Sequence, residues 1–164
     1  MADIGQFWED ARTAAKLNPL QEYFGPRMWG SITPESYAFG DSPAMADELA
    51  ALVVEGRKTA TASALADYES AGEPLPQLGD LFIIVDGAGE HRALIRTTDV
   101  RVVPFSQVDA DHAVAEAEGD GSLERWRSGH RDFFERTIGF TEDMPVVLER
   151  FELLYPSRWK PLLG

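Results

Sequence analysis

The stretch Glu55-Gly56-Arg57-Lys58-Thr59-Ala60-Thr61-Ala62-Ser63 sets two adjacent cations directly after a glycine and follows them with three hydroxyls. Charge-assisted donors beside hydroxyl oxygens suit an anion, a phosphate or the polar edge of a base. The glycine-lysine-threonine order is a fragment of a phosphate-binding loop. The first glycine of that pattern is absent, however, and the segment follows a helix instead of opening one, so triphosphate chemistry is set aside. A plainer description also fits. Arg57 and Lys58 are then solvated charges that discourage edge pairing, and the threonines serve β-propensity.

Other residues divide the same way. Arg57, Lys58, Arg96 and the helix-spaced Arg125, Arg127 and Arg131 are candidates for contacts to a nucleic-acid backbone, although with Glu124 the last three also describe the solvated side of a helix. Trp29, Tyr37 and Phe39 could stack a base, whereas Trp126, Phe133 and Phe134 have the spacing of a buried stripe. His130 lies on that stripe and reads as a hydrogen-bonded interior histidine. There is no cysteine, and His91, His112 and His130 lack the spacing of common metal sites, so neither a metal nor a cofactor is expected. The acidic run Asp109, Asp111, Glu116, Glu118, Asp120 lacks the alternation and terminal glutamate of a calcium loop and reads mostly as solvated surface.

The elements that must position these residues are legible from pattern. Asp3 caps a helix with Ile4, Phe7, Trp8, Ala11, Ala14 and Ala15 on one face. Prolines, glycines and aromatics from Asn18 to Pro34 read as a long ordered loop. Ser42 caps a second helix, Pro43 sits in its first turn, Gly56 ends it, and Met45, Leu49, Leu52 and Val53 form its buried stripe. Lys58 to Ser63 reads as a strand and Leu65 to Ser70 as a short helix. Runs 81–85 and 93–98 form a hairpin across Asp86-Gly87-Ala88-Gly89, the second run continuing through 101–103 until Pro104. Helical patterning covers Asp109 to Glu118 and restarts after Ser122 through Thr137, and a last strand spans Val146 to Tyr155. Short strands mixed with helices, without a βαβ rhythm, favour an α+β fold with a mixed or antiparallel sheet.

A chain of 164 residues suits one core. The domain is therefore expected to span residues 1–164, with the helix and loop of residues 1–36 packed on it. No uninterrupted apolar run suggests a signal or membrane span, so a soluble, cytoplasmic protein with no membrane partner is expected. The net charge of −13 argues against non-specific duplex binding and leaves room for a local basic cleft, because charges beyond a Debye length of ~8 Å are screened from one another.

The ordered series Tyr37-Ala38-Phe39-Gly40-Asp41-Ser42-Pro43, Gly56-Arg57-Lys58-Thr59-Ala60-Thr61, Gly79-Asp80, Ile95-Arg96-Thr97-Thr98-Asp99-Val100 and Glu118-Gly119-Asp120-Gly121-Ser122-Leu123 resembles the ASCH domain family. It is most similar to a longer bacterial branch carrying Phe-Gly-Asp-Ser-Pro. The resemblance implies a small PUA-like β-barrel with flanking helices and a cleft beside the glycine-lysine-threonine segment. It also implies single-stranded RNA or a modified nucleoside as partner. Three functions follow from it: an RNA-binding domain that is a metal-independent ribonuclease, an amidohydrolase removing the acyl group from an acetylated cytidine, and a module that binds RNA or nucleotide without catalysis. A functional trio carried over by motif falls on Lys58, Thr61 and Glu118, with Glu116 as the alternative carboxylate. Around it Arg57, Thr59, Ser63, Tyr37, Phe39, Asp41, Arg96 and Arg127 are expected to bind substrate. In that trio Lys58, buried beside the like charge of Arg57, acts as a base toward Thr61 or water, and Glu118 orients the lysine or protonates a leaving amine. Lys58 and Thr61 point to opposite faces of a regular strand, so cooperation requires Lys58 to precede the strand or a bulge to intervene.

Overall fold

A computed structural model describes residues 3–15 and 33–156. Trp29, most of the loop expected up to Pro34 and the tail beyond Pro156 lie outside the described residues. Caps read from sequence do set the helices. The Asp3 carboxylate accepts from the Gln6 amide ahead of α1 (Ile4–Ala14), and the Ser42 hydroxyl accepts from the Met45 amide ahead of α2 (Pro43–Val54). α3 covers Leu65–Ala71. Asp109 caps α4 (Ala110–Glu116), and Ser122 caps α5 (Leu123–Thr137) through the Arg125 amide. Each such cap stabilises its helix by about 1 kcal/mol. The strands are β1 (Glu35–Tyr37), β2 (Ala60–Ala64), β3 (Leu81–Val85), β4 (His91–Pro104) and β5 (Pro145–Tyr155). They form one mixed sheet in the order β1-β3-β4-β5-β2, with β1 parallel to β3 and the pairs β3–β4 and β2–β5 antiparallel.

Among the described residues the chain divides into two compact units. The first draws on Met1–Gly56, Leu81–Arg96 and Leu153–Gly164, and the second on Arg57–Asp80 and Thr97–Glu152. In the first, Trp8 and Ala11 of α1 pack on Leu81, Ile83 and Leu94. In the second, Phe105, Trp126, Phe134, Val146 and Leu148 close around Ala64 and Ala113. None of the helices among the described residues is long and apolar enough to cross a membrane.

Three local expectations are corrected. The strand expected from Lys58 begins at Ala60, because the Thr59 amide donates to the Ala115 carbonyl of α4 at 2.7 Å and so leaves the ladder early. The buried face of α2 uses Ala46 and Ala50 with Leu49 and Val53, while Met45 and Leu52 are only half-buried. The helix expected to reach Glu118 stops at Glu116, because Ala117 takes a left-handed conformation with φ of 59°.

The β3–β4 turn is fastened to α2 inside the first unit. The Asp86 carboxylate accepts from the Ala88 and Glu90 amides at 3.0 Å, and the Gly87 amide donates to Asp47 at 2.8 Å. A Cβ on Gly87 would lie 2.2 Å from the Pro43 carbonyl oxygen. Gly87→Ala is therefore expected to force backbone apart and destabilise the protein by about 1–3 kcal/mol. A lowered thermal midpoint checks this, and an unchanged one would show the approach to be unimportant.

Candidate functional site

Lys58 ends up inside the second unit. Having left the ladder before β2, its side chain is 1% exposed, and Nζ donates to the Ala60 carbonyl at 2.9 Å, to Glu118 Oε2 at 3.1 Å and to Glu116 Oε1 at 3.4 Å. An ammonium so deep in the protein requires opposite charge and full hydrogen bonding, and the end of α4 provides both. Glu116 is the last helical residue. The left-handed Ala117 then swings the chain so that Glu118 returns to the same ammonium. An L-residue in that conformation costs about 1–2 kcal/mol.

Glu116 is the hub. Its Oε2 accepts from His112 Nε2 at 2.6 Å and from Trp126 Nε1 at 2.5 Å, and its Oε1 lies 3.4 Å from His130 Nε2. A carboxylate only accepts, so His112 carries its proton on Nε2. His130 stacks on Trp126 at 4.1 Å between centroids, and its Nδ1 donates to the Trp126 carbonyl at 2.9 Å. Thus α5 delivers Trp126 and His130 one turn apart, and α4 delivers His112 and Glu116 one turn apart.

The network drives its titrations apart. Burial opposes ionisation of Glu116, but the Lys58 charge, then His130, then the His112 hydrogen bond outweigh it and hold the carboxyl well below its usual range. For Glu118 burial prevails over the attraction of Lys58, and the hydrogen bond and charge of Glu116 push the same way, so its carboxyl is raised. Burial disfavours the His130 imidazolium, yet the charge and hydrogen bond of Glu116, aided by Glu118, win and raise its pKa above 6.5. One carboxyl is fixed as an anion while its neighbour holds a proton more readily, the arrangement that lets a pair of carboxyls divide acid and base work.

Glu116, Glu118 and His130 also bring ligand atoms within 4.8 Å of one another, a donor set able to hold a divalent cation. Sequence spacing did not reveal it, because His130 comes from a different helix. With Lys58 in place those carboxylates already face a cation.

Of the expected site residues, Lys58 and Glu118 meet, and Glu116 joins them. The expectation set Arg57 beside the Lys58 ammonium; Nζ lies within hydrogen-bond distance of the Glu116 and Glu118 carboxylates, and Arg57 is exposed. Thr59 donates from Oγ1 to the Ala115 carbonyl at 3.3 Å. Thr61 is the register partner of Glu149 on β5, and Ser63 Oγ lies 2.9 Å from the Tyr68 hydroxyl. Arg127 donates to the Ser106 and Val108 carbonyls, while Arg131 pairs with Glu142 and covers Phe140. Tyr37, Phe39, Asp41 and Arg96 belong to the first unit, where Tyr37 packs edge-on against Phe39 and Phe82, Phe39 is buried and Asp41 is exposed. His112, His130 and Trp126 were absent from the expected site. The helical separation of His112 from Glu116 was the one available signal, and it resembles any surface pair.

Residues 35–155 match the model of the ASCH domain. The chain is similar to the crystal structure of an ASCH domain from Lactobacillus crispatus JV V101, with 31% identity over 87% of this chain and 94% of that one and a TM-score of 0.71. It is also similar to the crystal structure of a protein from Enterococcus faecalis V583, with 34% identity over 87% of this chain and 91% of that one and a TM-score of 0.70. No curated protein matches it. These likenesses accord with the α+β, PUA-like class expected from the sequence.

Because the His130 pKa is raised above its unfolded value, its contribution to stability is complete below the ordinary histidine pKa of ~6.5 and is lost as pH rises through the folded value. In an NMR titration His130 is expected to titrate above that ordinary value, and Glu116→Gln is expected to lower it. A His130 titration unmoved by Glu116→Gln would contradict the assigned coupling. The same variant leaves Lys58 short of one buried counter-charge and should cost about 3–5 kcal/mol in chemical unfolding.

Proposed function

The chain belongs to the ASCH domain family, which is PUA-like, and from that premise we propose that it is an amidohydrolase that removes the acyl group from an acylated, cytidine-type nucleoside. The observation that carries this reading is the meeting of Lys58 Nζ with Glu118 Oε2 at 3.1 Å, two groups 60 residues apart in sequence, at a half-buried carboxyl that readily holds a proton. The net charge of −13 favours a small, neutral substrate over a long polyanion.

The reaction needs a water, an acid and base, and charge for an oxyanion. Water attacks the acyl carbon while the Glu118 carboxylate takes its proton, and the carbonyl oxygen becomes an oxyanion beside the Lys58 ammonium. Collapse breaks the bond between acyl carbon and nitrogen, and Glu118 returns the proton to the leaving amine. The products are the free amine and a carboxylic acid, with one water consumed. Lys58 acts through its charge in place of the base role expected from sequence, since its Nζ already donates to carboxylates at 3.1 and 3.4 Å. Glu116 stays ionised and holds Lys58 in place.

Cleavage of single-stranded RNA is the second reading, and the arginines of α5 favour it less than their number suggests. Arg127 and Arg131 line a shallow hollow with Leu123, Glu124 and Ser128, but both guanidiniums serve local partners.

Incubation with acetylcytidine is expected to release acetate, with Lys58→Ala about 10²- to 10³-fold slower and Glu118→Gln about 10²- to 10⁴-fold slower. Absence of acetate release by the parent protein, or undiminished rates in both variants, defeats the hydrolase reading. Steeply salt-dependent binding of an RNA oligomer with cleavage would instead favour the ribonuclease.

A further inference from the structure

Glu116, Glu118 and His130 each bring one donor atom to a common point, and the atoms behind them are arranged as they are behind metal ligands. Glu116 Oε2 is held by His112 Nε2 at 2.6 Å and Trp126 Nε1 at 2.5 Å, which leaves Oε1 to face inward. His130 Nδ1 donates to the Trp126 carbonyl at 2.9 Å, and the ring is stacked on Trp126. A ligating histidine characteristically gives its second ring N–H to a carbonyl, and a ligating carboxylate is hydrogen-bonded in turn, because these contacts fix the tautomer and the aim of the donor. A neutral His130 held in this way carries its lone pair on Nε2, which lies 3.4 Å from Glu116 Oε1. Two acceptors that face each other in the interior require a cation between them or beside them. Lys58 is that cation, but its Nζ also stands 3.4 Å from Oε1, well beyond the ~2.7–2.9 Å of a charge-assisted hydrogen bond.

We propose that Glu116, Glu118 and His130 bind a divalent transition-metal ion of the zinc class, which enters by displacing the Lys58 ammonium. Exchange of one cation for a smaller one needs no cavity beyond the space the ammonium leaves. Glu118 is 29% exposed and gives the ion its approach, and the lysine head, on a flexible stem, regains its hydration when it swings out. One ammonium offsets one of two carboxylates, whereas a divalent ion offsets both. An imidazole nitrogen with two carboxylate oxygens suits zinc or cobalt and leaves a fourth tetrahedral position for water. Magnesium, which takes six oxygens and sheds its water reluctantly, does not fit this set. Binding of the ion is independent of the nucleoside reading. Its consequence rests on that reading: a bound ion removes both the Lys58 charge and the Glu118 carboxylate from the hydrolysis, and so inhibits it.

Calorimetric titration of the full chain with zinc chloride and with magnesium chloride, alongside histidine ¹⁵N spectra of the same samples, tests the site. Zinc is expected to bind one ion per chain and to shift the His130 Nε2 resonance, and magnesium to do neither. Lys58→Met removes the competing ammonium and should bind zinc about tenfold or more tightly, since apparent affinity scales with the fraction of molecules whose site is free. Glu118→Gln, at the half-exposed ligand, and His130→Gln should each lose about tenfold or more. No binding of zinc by the parent protein below millimolar concentration, or no gain in Lys58→Met, overturns the proposal. Binding that leaves the His130 resonance unmoved and is unchanged in Glu118→Gln and His130→Gln marks an adventitious ion only, and overturns it as well. Zinc bound with the expected pattern by a protein that releases no acetate would keep this site and remove the hydrolase. Acetate release undiminished at saturating zinc would keep the site and remove its inhibitory role, together with the part given to Lys58 and Glu118 in hydrolysis.

Discussion

The buried contact between Lys58 and Glu116 is the constraint around which the second unit is organised. Each side chain is 1% exposed, and neither charge could remain in the interior without the other. That requirement fixes the approach of β2 to the end of α4, since the Ala60 carbonyl must accept from the same ammonium that faces Glu116. It also fixes α5, whose Trp126 and His130 complete the shell of the carboxylate. Ion pairs of this kind are poor sources of net stability compared with apolar packing of equal volume. They stand beside a well-formed core of Phe105, Phe134, Val146 and Leu148.

The network distributes charge unequally. Four donors surround Glu116, whereas Glu118 is 29% exposed and has Lys58 as its cationic partner. The deeper carboxylate fixes the lysine, and burial raises the carboxyl of the shallower one. On the other side of β2 the environment of Glu149 works in the reverse sense, with burial and a single hydroxyl donor in place of a cation. Three glutamates in one unit thus have three electrostatic settings, each set by which neighbours can donate to it.

Much of the frame was legible because it depends on local chemistry. Asp3, Ser42 and Ser122 cap helices from adjacent residues, and Asp86-Gly87-Ala88-Gly89 turns one strand into the next, so short windows of sequence suffice. β1 was not legible: three residues paired in parallel with β3 carry too little pattern. Lys58 and Glu118 were singled out through family resemblance, and the fold brings the two side chains together. His130 was correctly read as an interior, hydrogen-bonded residue, but its proximity to Glu116 depends on the packing of α5 against α4, which no local window encodes. The pairing of Thr61 with Glu149 is likewise a matter of strand register across a long separation in sequence.

The left-handed Ala117 bears on how firmly the two carboxylates are held. A glycine there would adopt the same turn with less strain, but it would open a wider range of backbone angles to the two glutamates that flank it. The methyl group confines that range. Glu116 and Glu118 are therefore held around the ammonium with few alternative backbone arrangements open to them.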